Sequence, residues 1–278
     1  MAVEAHRPRI ARSPRRLAAS VARPEAAGTA LVFLLFLAAW QWGPGALGIP
    51  PYIVPTASEC WAEFLRMLTR DRLMFHVGVT ALEVAAGFGL GALLGMVSGY
   101  VLGMSATAEV VLSPYILALQ IAPKVAFAPL FVMWFGFTVY PKILVAVLIV
   151  FFPIMVNVLS AIRHVDRDLI NLARSFTASR LQVFWKIEFH AAMPPLFAGL
   201  RIGATLAVIG VVVGELVGGN MGLGYLLTYG EGAADTPMVF VSIILLTLIG
   251  IVAYLLVTWL ERRVLHYMPA RAAGAEGL

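Results

Sequence analysis

Six apolar segments, each about twenty residues or longer, occupy most of this chain of 278 residues. They cover residues 28–47, 77–104, 110–135, 139–159, 196–217 and 237–260. Hydrophobic residues make up 61% of the sequence and charged residues only 13%, whereas soluble domains are about 45–50% apolar and about 25% charged. Because about 20 apolar residues in a helix cross the hydrocarbon core of a bilayer, the sequence predicts an all-α integral membrane protein with six transmembrane helices.

Basic residues are unequally divided between the two sides that a six-helix topology creates. Fifteen of the twenty Lys and Arg residues lie on one side, in residues 1–26, in or near residues 161–195, and after the last apolar segment. The opposite side has Arg66, Arg70, Arg72 and Lys142. Cytoplasmic loops are enriched in Lys and Arg, so the bias predicts that both termini are cytoplasmic. Five or seven spans would place the two termini on opposite sides and lose this agreement.

The charge pattern also divides the chain into three regions. We expect residues 1–26 to be a disordered basic tail in the cytoplasm, 27–268 a transmembrane domain and 269–278 a second cytoplasmic tail. A basic tail before an apolar run also fits a cleaved signal peptide. The length of the first run and its tryptophans favour an uncleaved membrane anchor.

Glycine recurs at every fourth position of the second apolar segment. The five residues are Gly87, Gly91, Gly95, Gly99 and Gly103. This spacing puts them on nearly one face of a helix, and small residues let helices approach closely within a membrane. We expect this face to pack against another helix; the alternative is a role in gating.

One polar insert, residues 161–195, separates the fourth and fifth apolar segments. It carries five Lys or Arg, three Asp or Glu and two His residues. Leu169, Leu172 and Phe176 follow helical spacing, and Leu181 and Phe184 begin a second bulky apolar face. A basic, amphipathic insert of this kind indicates a docking surface for a cytoplasmic partner.

Several function classes lack their required residues in this sequence. No Gly-x-x-x-x-Gly-Lys-Ser/Thr loop, metal-ligand spacing or catalytic triad occurs. The net charge of +5 is explained by the orientation of the chain in the membrane and does not indicate nucleic-acid binding. Ionisable groups within the apolar segments are few, whereas secondary transporters usually carry more. The chain therefore has the composition of a transport pathway whose motor is elsewhere; an ion-coupled secondary transporter and a membrane enzyme are the rival interpretations.

The insert resembles the EAA loop of permease subunits in bacterial ATP-binding-cassette (ABC) importers. The usual pattern is Glu-Ala-Ala, three residues, Gly, nine residues and Ile-x-Leu-Pro. The corresponding positions here are Asn171-Leu172-Ala173, Thr177, Ile187, Phe189 and His190. The spacing is kept, although only Ala173 and Ile187 keep the usual residue type. The stretch Ala178–Phe184 is typical of such loops.

Segments outside the insert resemble one branch of these permeases. That branch is the nitrate/sulfonate/taurine type, which also serves thiamine-pyrimidine and related substrates. The matching segments are Ile53–Glu59, Ala126–Leu130, Trp134–Gly136 and Gly222–Leu226. The resemblance covers roughly residues 50–268.

The resemblance implies a type I importer permease in the bacterial inner membrane, without a cofactor of its own. Its expected partners are two ATPase subunits that bind ATP and Mg, a substrate-binding protein, and a second permease copy, most simply a homodimer. Residues 161–195 would form two short helices joined by a turn and lodge in a groove of the ATPase. The expected coupling residues are Asn171, Leu172, Ala173, Phe176, Thr177, Ala178, Ser179, Leu181, Phe184 and Ile187.

Four residues are candidates for the solute pathway. Lys124 lies within an apolar segment beside Pro123, near Gln120. It either lines a pathway for anionic or polar solutes or forms a structural pair or snorkels to the interface. Glu215 ends the fifth apolar segment and pairs within a dimer, contacts the binding protein or is simply solvated. Residues 222–227 are expected to form a short external re-entrant helix that acts as a gate.

Overall fold

The structure is a computed structural model that describes residues 24–266, and within this range the regular structure is entirely helical. The predicted tail 269–278 lies outside the described residues, as does the tail 1–26 apart from its last three residues, which begin the first helix. The α-helices are α1 Pro24–Ala46, α2 Ala57–Arg70, α3 Leu73–Gly103, α4 Ala106–Ile121, α5 Ala128–Phe135, α6 Val139–Arg163, α7 Arg167–Ser175, α8 Arg180–Val183, α9 Phe189–Gly218, α10 Leu223–Gly232 and α11 Thr236–Val264.

Five continuous helical runs in the described residues are long and apolar enough to cross a membrane. They are α1, α3, α6, the run that ends with α9, and α11. A sixth crossing is obtained when α4 and the short helices after it are counted as one bent span. The all-α membrane fold is therefore confirmed, with five or six spans.

The third span is bent and not one continuous helix. Helix α4 ends at Ile121, and a 3-10 turn follows at Lys124–Phe127. This turn and α5 together, Lys124–Phe135, run at 78° to α4. Proline has no N–H to donate and its ring clashes with the preceding turn, so Pro123 explains the break. The segment 110–135 thus begins earlier than predicted and changes direction halfway.

The second half of the polar insert is continuous with the fifth span. Helix α8, a π-helical turn at Phe184–Glu188 and α9 form one run of 39 residues from Arg180 to Gly218. We predicted a separate short helix and a span beginning near residue 196, so this boundary was wrong. The predicted boundary was set where the sequence changes from polar to apolar, but the helical hydrogen bonds of the backbone continue through the polar residues.

Helix α6 lies between α3 and α9 at the centre of the bundle. A Cβ added at Gly87 of α3 would lie 2.5 Å from the Cβ of Ala146. A Cβ added at Gly210 of α9 would lie 2.5 Å from the Cα of the same alanine. Ala146 is fully buried. The five glycines of α3 all face α6. In chain order, Gly87 faces Ala146, Gly91 faces Val150, Gly95 faces Phe151 and Ile154, Gly99 faces Met155 and Val158, and Gly103 faces Ile162.

Helix α2 covers one end of the bundle and holds the single cysteine. Thr56 caps it through a reciprocal pair of bonds with Glu59. Cys60 is 4% exposed, and this burial raises the pKa of its thiol to about 11.

We expect Cys60 to react very slowly with iodoacetamide in the folded chain. A rise of two pKa units lowers the thiolate fraction near neutral pH by about 100-fold, and burial also blocks access. The alkylation rate is measured by mass spectrometry at pH 8, once in mild detergent and once after unfolding in SDS. Equal rates in the two conditions would contradict the buried, protonated thiol.

Candidate functional site

Helix α7 and the start of α8 present an apolar surface to the surroundings. Leu169 is 50% exposed, Leu172 56%, Phe176 76% and Leu181 67%. These side chains alternate with polar and charged residues. We call these four residues the docking ridge. An exposed apolar cluster rimmed by polar groups is typical of an interaction site.

The turn after α7 is a Schellman motif, in which backbone N–H groups bond to carbonyls of the last helical turn. Ala178 N donates to Ala173 O at 3.1 Å and Thr177 N donates to Arg174 O at 2.9 Å. Thr177 has φ +60, the left-handed conformation that this motif normally gives to glycine. The turn expected of the family is therefore formed, but with a β-branched residue in a strained conformation.

The start of α8 is fixed by a second capping arrangement. Ser179 N donates to Gln182 Oε1 at 2.8 Å, and Gln182 N donates to Ser179 Oγ at 3.3 Å. This capping box satisfies backbone groups that a helix start leaves unpaired. The short sequence between Thr177 and Gln182 thus sets the angle between α7 and the long helix that follows.

The predicted coupling residues divide into two sets. Those that face outward are Asn171, Leu172, Phe176, Thr177, Ser179 and Leu181, and those that are half-buried are Ala173, Ala178, Phe184 and Ile187. Phe184 differs most from the prediction, because its ring packs 4.7 Å from that of Tyr100 on α3. It secures the segment to the bundle and does not extend the docking ridge.

We expect Thr177→Gly to slow amide hydrogen exchange at the turn about three- to fivefold, because glycine removes a left-handed penalty of about 1 kcal/mol. Mass spectrometry of the peptide that spans residues 174–182 measures this protection. The matched control is Thr177→Ala, which keeps a Cβ and should therefore gain less protection from amide exchange. Equal gains in both variants would contradict the strain assigned to Thr177.

A buried polar cluster lies at the start of α10. Lys142 of α6 is 2% exposed; its Nζ donates to Glu83 Oε1 at 2.9 Å and to Met221 O at 3.1 Å. Glu215 of α9 is 1% exposed and accepts from Thr80 Oγ1 at 2.7 Å. Burying these groups is tolerable because each has a charged or hydrogen-bonding partner.

The same cluster caps α10. Gly224 N donates to Glu215 Oε2 at 2.5 Å, Leu223 N to Thr80 Oγ1 at 2.8 Å, and Gly222 N to His76 Nδ1 at 3.0 Å. Three N–H groups that a helix start leaves free are thus bonded by side chains of α3 and α9. We call these three residues, His76, Thr80 and Glu215, together with the adjoining ion pair of Glu83 and Lys142, the α10 anchor.

Two sequence predictions need correction here. Glu215 was expected at the outer end of its span, paired within a dimer, in contact with the binding protein or solvated; the solvated alternative is wrong, because Glu215 is buried and fastens α10. Lys142 was counted among the basic residues of the outer side, although it is paired inside the bundle. The signal was present, because Lys142 and Glu83 both lie in or at the edge of apolar segments, but their pairing across 59 positions is not visible in the sequence.

The other pathway candidates meet at the break in the third span. Lys124 Nζ donates to the carbonyl of Gln120 at 2.5 Å and lies 5.0 Å from the centre of the Phe152 ring. Pro123, between them, is exposed. The structure therefore brings Gln120, Pro123 and Lys124 together and places Glu215 in a different cluster. Among the residues from 24 to 266, no group of His, Cys, Asp and Glu has the arrangement of a metal site.

Comparison with known proteins connects these features to one family. The family described as "Binding-protein-dependent transport system inner membrane component" matches residues 91–266. The riboflavin transport system permease protein RibX of Chloroflexus aurantiacus is 37% identical over 242 residues, covering 87% of this chain and 90% of RibX. The formylaminopyrimidine transport permease protein ThiX of Halalkalibacterium halodurans is 31% identical and covers 85% of this chain and 94% of its own length. The putative aliphatic sulfonates transport permease protein SsuC of Bacillus subtilis is 33% identical and covers 84% of both chains.

A solved structure supports the fold. The MetNI methionine ABC transporter, in inward-facing conformations, matches with a TM-score of 0.58 and 18% identity over 71% of this chain and 98% of the other. At this identity the likeness concerns the fold alone. The relatives are named as transport permeases, which agrees with the motifs in and around residues 161–195. The chain therefore belongs to the family of binding-protein-dependent transport system inner membrane components, the multi-pass permeases of ABC importers.

Proposed function

We propose that this chain forms the translocation pathway of an ABC importer in the bacterial inner membrane, with both termini in the cytoplasm. The docking ridge carries the proposal, because four apolar side chains stand exposed in an otherwise polar segment. An amphipathic helix laid into a groove is a common mode of protein recognition. The groove would belong to an ATPase subunit, which would bind ATP and Mg and perform all the chemistry.

The assembly that follows from this role has two permease copies and two ATPases. Closure of the ATPases on ATP would draw the two docking ridges together. Because α8 is continuous with α9, a movement of the ridge would be transmitted directly to a helix that crosses the membrane. The unbroken run of 39 residues supports this coupling better than the separate short helix that we predicted.

The solute would be a small molecule delivered by a substrate-binding protein on the outer side. The named substrates of the relatives are riboflavin, a formylaminopyrimidine and aliphatic sulfonates; all carry polar groups, and the sulfonates are anionic. We place the pathway beside the broken third span, where Lys124 and Gln120 would favour such solutes. Helix α10, held by the α10 anchor, would be the external gate.

Copurification with the ATPase tests the docking role and separates it from the alternative, an ion-coupled transporter without an ATPase. We expect Leu172→Asp and Phe176→Asp each to reduce the amount of ATPase recovered with the tagged chain at least about tenfold. A tenfold loss corresponds to about 1.4 kcal/mol of binding free energy, which the removal of one interface anchor can account for. Tyr52→Asp is the matched control, because Tyr52 is 70% exposed and lies on the predicted opposite side of the membrane. Unchanged recovery with both ridge variants would contradict the proposal.

A further inference from the structure

Three arginines line one cavity next to the docking ridge. The cavity has a volume of about 390 Å³ and lies where the ends of α3 and α6 meet α7 and α8. Arg163 comes from the end of α6, Arg174 from α7 and Arg180 from the first residue of α8. Three separate helices therefore direct cations to the same space.

The positive charge in this cavity is only partly balanced. Arg163 Nη2 lies 2.5 Å from Glu109 Oε2, and Glu188 contributes one carboxylate to the wall. Within the part of the chain that the structure describes, Arg174 and Arg180 have no ion pair. Like charges that share a cavity repel one another, so an anion between them would be favourable.

Arg163 also has unused hydrogen-bonding capacity. Its Nε has no hydrogen-bond partner among the described residues, and its Nη2 contacts Glu109 Oε2 without the geometry of a hydrogen bond. A guanidinium carries donors in a planar fork that matches phosphate oxygens. Because Nε and Nη2 are inaccessible to solvent, an oxyanion in the cavity would bond to the remaining guanidinium nitrogen of Arg163, Nη1.

The remaining wall of the cavity is apolar. Tyr100, Gly103 and Met104 at the end of α3 and Ile162 of α6 form one part of it, and Val165, Ile170, Ala178, Val183 and Phe184 form the rest. The site therefore joins a cationic floor to the apolar ends of two membrane helices. Basic pockets between the cytoplasmic ends of membrane helices are suited to lipid headgroups.

We propose that this cavity binds a phosphate group, carried either by an anionic phospholipid or by a free phosphate compound. The phosphate would bridge Arg163, Arg174 and Arg180 and so fasten the docking ridge to the ends of α3 and α6. The proposal concerns binding by this chain alone and stands whether or not an ATPase docks on α7.

Binding to the full-length chain in a neutral detergent tests the proposal. In the first arm, native mass spectrometry compares phosphatidylglycerol with phosphatidylcholine. In the second, thermal unfolding is measured with sodium phosphate or sodium chloride at equal ionic strength. We expect wild type to prefer phosphatidylglycerol at least tenfold, or to be stabilised by phosphate but not by chloride. The first outcome assigns the site to a lipid headgroup and the second to a free phosphate compound.

Variants locate the binding. The double variant Arg174→Gln/Arg180→Gln should lose tenfold or more of the wild-type affinity, whereas Lys186→Gln, an exposed cation of the same helical run outside the cavity, should keep it. Equal binding by wild type and the double variant would overturn the proposal. If the double variant does not fold, the wild-type arms decide, because no preference for phosphatidylglycerol and no effect of phosphate would also overturn it.

Discussion

Gly99→Leu should destabilise the folded chain by about 3 kcal/mol, the upper range for inserting side-chain atoms into a closely packed interface. A Cβ at Gly99 would meet the backbone carbonyl of Met155, with the Cβ of Val158 at 2.9 Å. A backbone oxygen cannot rotate away, so α3 would have to separate from α6 along its length. The free energy of unfolding in detergent, from SDS titration, measures the loss.

Gly89→Leu is the matched control for this effect. Gly89 lies on the same helix, and an added Cβ there would have no atom within 4 Å. We expect Gly89→Leu not to destabilise the chain and to raise the free energy of unfolding by up to about 1 kcal/mol, because leucine has a higher helix propensity than glycine. If Gly99→Leu and Gly89→Leu change the free energy of unfolding equally, the glycine face does not set the distance between α3 and α6.

Lys142→Met should destabilise the chain by about 3–5 kcal/mol, the usual cost of removing one partner of a buried ion pair. Methionine fills a similar volume, so the loss would come from charge and not from a cavity. The variant would leave Glu83, which is 3% exposed, without the cation that it pairs with, and would remove the bond to Met221 O just before α10. The same unfolding titration measures the effect, and α10 should become more accessible to protease.

The double variant Lys142→Met/Glu83→Gln tests whether the ion pair is responsible. Removing the charge of Glu83 as well should recover at least half of the lost free energy, because an isosteric neutral pair carries no unbalanced buried charge. If the double variant is as unstable as Lys142→Met, the lysine acts through its contact with Met221 O or through packing, and the ion pair is not the source of stability.

The helices of this fold could be predicted from local properties of the sequence. Apolar length identified the membrane-crossing segments, and the fourfold spacing of Gly87 to Gly103 identified the face of α3 that packs closely. The spacing between Ala173 and Ile187 predicts an EAA-type segment although most of its residues depart from the pattern. Each of these signals depends on residues less than about thirty positions apart, within the reach of a periodic pattern.

The features that sequence reasoning missed depend on contacts between distant segments. Glu215 appeared to be an ordinary helix-end carboxylate, but it bonds to Thr80, 135 positions away, and so holds α10. The continuity of α8 with α9 was missed for a different reason, because a change in polarity was taken as a change in structure. A helix that leaves the membrane keeps its hydrogen bonds, so polarity shows the boundary of the bilayer but not the end of the helix.

The most direct test of the account is the labelling of Phe176→Cys and Tyr52→Cys, each in a Cys60→Ser background, with a membrane-impermeant maleimide. In inside-out vesicles we expect Phe176→Cys to be labelled and to become protected when the ATPase subunit is added, while Tyr52→Cys is labelled only in right-side-out vesicles. Labelling of Phe176→Cys from the outer side, or labelling that the ATPase does not reduce, would contradict a docking ridge that faces the cytoplasm and binds the motor.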